Sequence, residues 1–111
     1  MKQSLFFFLS IALAFTAKAQ VNSFPYTQDF ENFANCSGGC TGPCNLSGGW
    51  VNASNDGAEW FVDNGGTGSL NTGPSVDHNP GNSGGKYLYT ETSGCTNTTG
   101  LLISPTFDFS L

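Results

Sequence analysis

The chain has 111 residues, with three Lys or Arg against eight Asp or Glu and a formal net charge of −5. That balance leaves no basic stripe to neutralise phosphates, which argues against a nucleic-acid partner. Fifteen glycines and only 10% charged residues make helix formers scarce and turn formers plentiful, so the expectation is one small domain of short strands joined by turns.

The first element is MKQSLFFFLSIALAFTAKAQ. Lys2 supplies a positive start, residues 5–15 are apolar, and Ala17-Lys18-Ala19 is a small-x-small cleavage pattern. This reads as a secretory signal peptide over residues 1–19, cleaved after Ala19. The apolar run is shorter than the roughly 20 residues of a membrane helix. The expected mature domain is residues 20–111, with Lys86 as its one basic residue and a net charge of −7. Export makes the protein secreted or cell-surface. An acidic surface of this kind also leaves carboxylates free for a hard cation.

FPYTQDFENF, residues 24–33, alternates aromatic and polar side chains and is expected to form a half-buried strand. NCSGGCTGPCN follows, holding three of the four cysteines, Cys36, Cys40 and Cys44, with Cys95 far downstream. Outside the cell, disulfides are the default, and a C-x3-C-x3-C spacing lacks the paired knuckles of structural zinc. Four cysteines allow three connectivities, and the spacing does not choose among them.

GGWVNAS is a strand around Trp50, Asn55-Asp56-Gly57 a turn, and AEWFVD, residues 58–63, a strand with Trp60 and Val62 on one face. Residues 64–75 and 80–85 read as loops. KYLYTETS, residues 86–93, alternates strictly. LLISPTFDFSL ends with Phe107, Phe109 and Leu111 on one face, and Pro105 marks a strand edge or bend. The class is all-β, a jelly-roll-like antiparallel β-sandwich. The alternation stops at Leu111 without a cap, so the sandwich is expected to be incomplete and truncated.

The motifs, in order, resemble the MAM domain of meprins, neuropilins and receptor tyrosine phosphatases. Gln28-Asp29-Phe30-Glu31 is similar to the family's opening D-F-E, and Gly49-Trp50 follows. Asp56-Gly57-Ala58-Glu59-Trp60 is similar to D-x-x-x-W. Thr72-Gly73-Pro74-Ser75-Val76-Asp77-His78 is close to T-G-P-x-x-D-H. Gly85-Lys86-Tyr87-Leu88-Tyr89-Thr90-Glu91 resembles G-x-Y-x-Y-x-E, and Leu102-Ile103-Ser104-Pro105 resembles L-x-S-P. The match covers the family's N-terminal portion, and the Asn/Gly/Thr-rich style resembles secreted bacterial proteins. The cluster Cys36, Cys40, Cys44 departs from the family's ordinary cysteine placement, so no pairing carries over.

The resemblance implies a non-catalytic recognition or adhesion module with an extracellular protein or glycan partner and a cell-surface association. It also implies a buried calcium at Glu31, Asp56 and Asp77, as loops at one end of a sandwich would converge, with Asp29, Glu59 and Asp63 as further candidates. The other reading of these acids is solvation or Asx-turns. The alternative function is the accessory recognition domain of a larger exported peptidase or glycosidase.

No catalytic set is complete. Gly81-Asn82-Ser83-Gly84-Gly85 is similar to a trypsin-like nucleophile box and Asp77-His78 lies close by, but about 90 residues cannot build the double barrel that mechanism needs. His78 is expected to be structural. Trp50, Trp60, Tyr87 and Tyr89 offer a sugar-stacking platform, with core packing the preferred reading.

Overall fold

The structure is a computed structural model that describes residues 20–110. Residues 1–19, expected to be a signal peptide, and Leu111 lie outside the described residues. The described residues form six short strands: β1 (Gln20–Val21), β2 (Val51–Asn52), β3 (Trp60–Asn64), β4 (Lys86–Thr90), β5 (Leu102–Ile103) and β6 (Thr106–Phe107). They pair as β1-β6, β2-β5 and β3-β4, each a two-stranded sheet. The all-β class holds. One pair, β1-β6, runs parallel, a departure from the all-antiparallel expectation that a connection as long as the whole intervening domain allows. Among the described residues no helix is long and apolar enough to cross a membrane.

The centre is β3-β4, in register from Trp60↔Thr90 to Asn64↔Lys86. Their residues are largely aromatic or β-branched, which suits a pleated surface. Phe61 and Val62 point to opposite faces yet are 0% and 1% exposed, so both faces of β3 are covered. Tyr89 packs on Phe61 with ring centroids 5.7 Å apart.

The cysteine loop supplies much of the cover. A Cβ on Gly38 would come within 2.8 Å of the Phe61 ring, so glycine is what allows the loop so close. Cys36 N–H donates to Val62 O at 3.0 Å, and Glu59 N–H donates to Cys40 O at 3.0 Å. Disulfides Cys36–Cys44 and Cys40–Cys95 hold the loop there, and no described cysteine is free. The connectivity, open in the sequence, is thereby set.

Asn52 ties β2 to β3 by imitating a strand. Its Oδ1 accepts Trp60 N–H at 2.9 Å and its Nδ2 donates to Trp60 O at 3.0 Å. Beyond β2, Ala53 N–H donates to Leu101 O, while Gly57 and Ala58 N–H both donate to Thr99 O. Pro105 separates β5 from β6, as its position suggested.

Residues 24–33 do not form the expected strand. Gln28 Oε1 accepts Phe30 N–H at 2.8 Å and Asp29 Oδ1 accepts Glu31 N–H at 3.2 Å. Phe30 sits at φ 63°, in the left-handed region. Local side-chain acceptors here outcompete a ladder. The aromatic rings still pack, Tyr26 on Phe107 and Phe30 on both Phe33 and Trp50.

Candidate functional site

The box 81–85 is a turn, and two side chains build it. Asp77 Oδ1 accepts N–H from Gly81 at 2.8 Å and from Asn82 at 3.1 Å. Asn82 Oδ1 accepts N–H from Gly84 at 2.8 Å and from Gly85 at 3.1 Å. Asp77 is 7% exposed, while His78 beside it is exposed. The carboxylate that would orient a catalytic histidine gives its Oδ1 to two backbone amides and makes no hydrogen bond to His78 among the described residues. No hydrogen bond among the described residues joins Ser83 to His78, and a nucleophile-base pair needs one.

The turn leads directly into β4, where Glu31 enters. Lys86 N–H donates to Glu31 Oε1 at 2.7 Å, and an added Cβ at Gly85 would lie 2.1 Å from Asp77 Oδ1. Glu31 and Asp77 therefore flank the single Gly85–Lys86 peptide. The Lys86 ammonium donates to Phe33 O, so the one lysine of the described residues is directed at a carbonyl.

Asp56 is held elsewhere, on the β2-β5 side: its Oδ2 accepts Leu101 N–H at 2.7 Å. Burial first, and then the charge of Asp56, raise the Glu59 carboxyl above its ordinary value. Asp29 is exposed and Asp63 Oδ1 accepts Asn64 N–H. No three Asp, Glu, His or Cys side chains gather to hold one metal ion among the described residues. Asp56 Oδ1 and Asp77 Oδ2 are nevertheless buried without a hydrogen-bond partner. Such oxygens are costly unless a cation or donor meets them. The donor chemistry fits a hard cation, although the three carboxylates do not form one shell.

A groove of about 750 Å³ opens above Asp77, walled by Phe30, Trp60, His78, Leu88 and Leu102. Of the four aromatics considered for sugar stacking, Trp60 and Tyr87 border it. Trp50 packs on Phe30 and Tyr89 on Phe61. The roles of Asn82 and Asn52 escaped the sequence reading. Asn82-Ser83-Gly84 carried an Asx-turn signal; nothing local marks Asn52 as a clasp on Trp60.

An all-β chain pinned by two disulfides, most of its acids engaged with its own backbone, has a build consistent with a small extracellular domain. Its family follows from comparison: the model of the MAM domain, meprin/A5/mu, matches residues 29–110, and the chain belongs to that family. No solved structure matches it. MAM domains are adhesion and recognition modules of extracellular proteins that mediate protein–protein interaction.

Proposed function

We propose that the chain is a secreted recognition module that binds an extracellular protein and performs no chemistry itself. The observation that carries this is the use of Asp77. In a family of recognition domains, the one Asp-His-Ser neighbourhood is a backbone turn, and what faces solvent above it is an open, mostly apolar groove. Export through the segment 1–19 and residence at the cell surface belong to the same reading.

The test is to immobilise the complete disulfide-bonded protein and present arrays of extracellular proteins and of glycans. Saturable binding to a protein, unchanged in Ser83→Ala, is the expected result. Turnover of a peptide or glycoside substrate, lost in His78→Ala or in Ser83→Ala, would sink the reading.

Calcium stabilisation forms a second part of the proposal, supported by the unpaired buried oxygens of Asp56 and Asp77. Asp77 and Glu31 would offer oxygens beside the Gly85–Lys86 peptide and Asp56 on the β2-β5 side, at separate positions and not as one shell. The ion's contribution is positive charge where the chain, with one lysine in residues 20–110, has almost none to offer.

A further inference from the structure

Two disulfides fasten the cysteine loop, and their sulfurs meet opposite ends of main-chain dipoles. At Cys36, the Val62 N–H donates to Sγ at 3.3 Å, and the Cys36 N–H donates back to Val62 O. Val62 is buried, so the sulfur is the acceptor this amide has. At Cys95, the carbonyl oxygen of Glu91 lies 3.5 Å from Sγ. A disulfide sulfur has no hydrogen to donate, so at Cys95 a lone pair faces the sulfur. Among the described residues no donor meets Sγ of Cys40 or Cys44.

Thiol–disulfide exchange expels one sulfur as a thiolate, and it is faster the better that thiolate is stabilised. An N–H aimed at the sulfur strengthens as charge develops there, whereas a carbonyl oxygen opposes it. Cys36 is therefore the best leaving group of the four and Cys95 the worst. A cleft of about 160 Å³ along Asn35, Cys36, Ser37, Val62 and Asp63 adds solvent on the Cys36 side. Asp63 acts against the thiolate, but its Oδ1 is shared with the Asn64 N–H and water in the cleft screens it. Pro43 and Asn45, on either side of Cys44, are exposed, which leaves Cys44 open to attack.

The loop keeps its hold on β3 without this bond. Cys40–Cys95 ties it to the chain beyond β4. Cys36 N–H reaches Val62 O, and Glu59 N–H reaches Cys40 O. What Cys36–Cys44 adds is closure over Phe61. A Cβ on Gly38 would lie 2.8 Å from that ring and one on Gly42 3.5 Å. Gly38 stands between the two anchored residues Cys36 and Cys40; Gly42 lies beyond them and depends on the bond at Cys44.

We propose that Cys36–Cys44 is an exchangeable disulfide opened by a small external thiol, while Cys40–Cys95 is structural. The attacking thiolate bonds to Cys44 Sγ, and the Cys36–Cys44 bond breaks with its electron pair going to Cys36. Cys36 leaves as a thiolate facing the Val62 N–H. A second external thiolate then attacks the sulfur of the first and releases Cys44. The two external thiols become one disulfide, their two electrons reduce the protein's bond, and their protons end on Cys36 and Cys44 through solvent. Residues 41–45 are then free to lift from Phe61. The step is stoichiometric and does not depend on the recognition reading.

The experiment treats the full disulfide-bonded chain with reduced glutathione and quenches it with excess maleimide at successive times. Peptide mass mapping reads the sites. The expected result is labelling of Cys36 and Cys44 at least tenfold sooner than of Cys40 and Cys95. The early mixed disulfide is expected to carry glutathione on Cys44 and label on Cys36. In the opened form, kept under glutathione, amide hydrogen exchange at Cys36 and Glu59 is expected to stay slow.

Equal rates at the two disulfides, or first opening at Cys40–Cys95, overturn the proposal. So does a different pairing of the four cysteines before treatment. Glutathione mapped to Cys36 overturns the assignment of the leaving sulfur. Fast exchange at Cys36 and Glu59 in the opened form shows the whole loop released and overturns the local device.

Discussion

At Gly85 a hydrogen stands where any other residue would place a carbon 2.1 Å from Asp77 Oδ1. Gly85→Ala must displace the carboxylate that caps the turn, at an expected cost of about 1–3 kcal/mol. The measurement is the denaturant midpoint at constant slope; an unchanged midpoint would show that Asp77 moves freely. Glu91 provides a second test at this scale. Hydrogen bonds from the Ser69 hydroxyl, and then from Ser93, lower its carboxyl from 4.5 to about 2. A lowered carboxyl stabilises the fold fully above about pH 4.5, and that contribution is lost as pH falls towards 2. The melting curves of wild type and Glu91→Gln are therefore expected to separate above pH 4.5 and converge near pH 2. Glu59 has the opposite sign. Its raised carboxyl opposes folding once ionised, so Glu59→Gln is expected to raise the melting temperature at pH 7.

Among the elements, the cysteine loop stands out because it covers β3 on the Phe61 side and along its outer edge. Its two disulfides differ in span: Cys36–Cys44 closes 8 residues and Cys40–Cys95 closes 55. Loop-closure entropy gives about 2.5 kcal/mol for the short ring and about 4 kcal/mol for the long one. Paired Cys→Ser replacement of Cys40 and Cys95 is expected to lower the melting temperature more than replacement of Cys36 and Cys44. Equal drops would mean that local packing against Phe61, and not the restriction of the unfolded chain, decides the loop's contribution.

At the scale of the whole molecule, the buried apolar core among the described residues is small, made of Phe33, Ala58, Phe61 and Val62. Stability must draw on cross-links and bound groups as well as on burial. Calcium is the group expected to contribute. At a free concentration a hundredfold above Kd, a ligand that binds only the folded state adds about 2.7 kcal/mol. The expected outcome is a rise in melting temperature in millimolar calcium, reversed by chelator and absent when Asp56→Asn and Asp77→Asn are combined. A melting temperature indifferent to calcium in the wild type would remove the ion from the proposal.

Much of this is legible in the sequence. Strict alternation in residues 86–93 announced β4, aromatic and β-branched residues announced β3, and the ordered motifs announced the family. Each is a local signal, because a strand's period and a motif's spacing are properties of adjacent residues. Residues 24–33 misled for the same reason: their alternation imitates a strand, while Gln28 and Asp29 bind the backbone before a ladder forms. The cysteine pairing, the clasp of Asn52 on Trp60 and the meeting of Glu31 with Asp77 at one peptide were decided only in the tertiary structure. Each joins chain segments that no periodicity relates. Whether a carboxylate holds an amide or keeps a buried oxygen free depends on which segment packs against it, and packing is a property of the assembled fold.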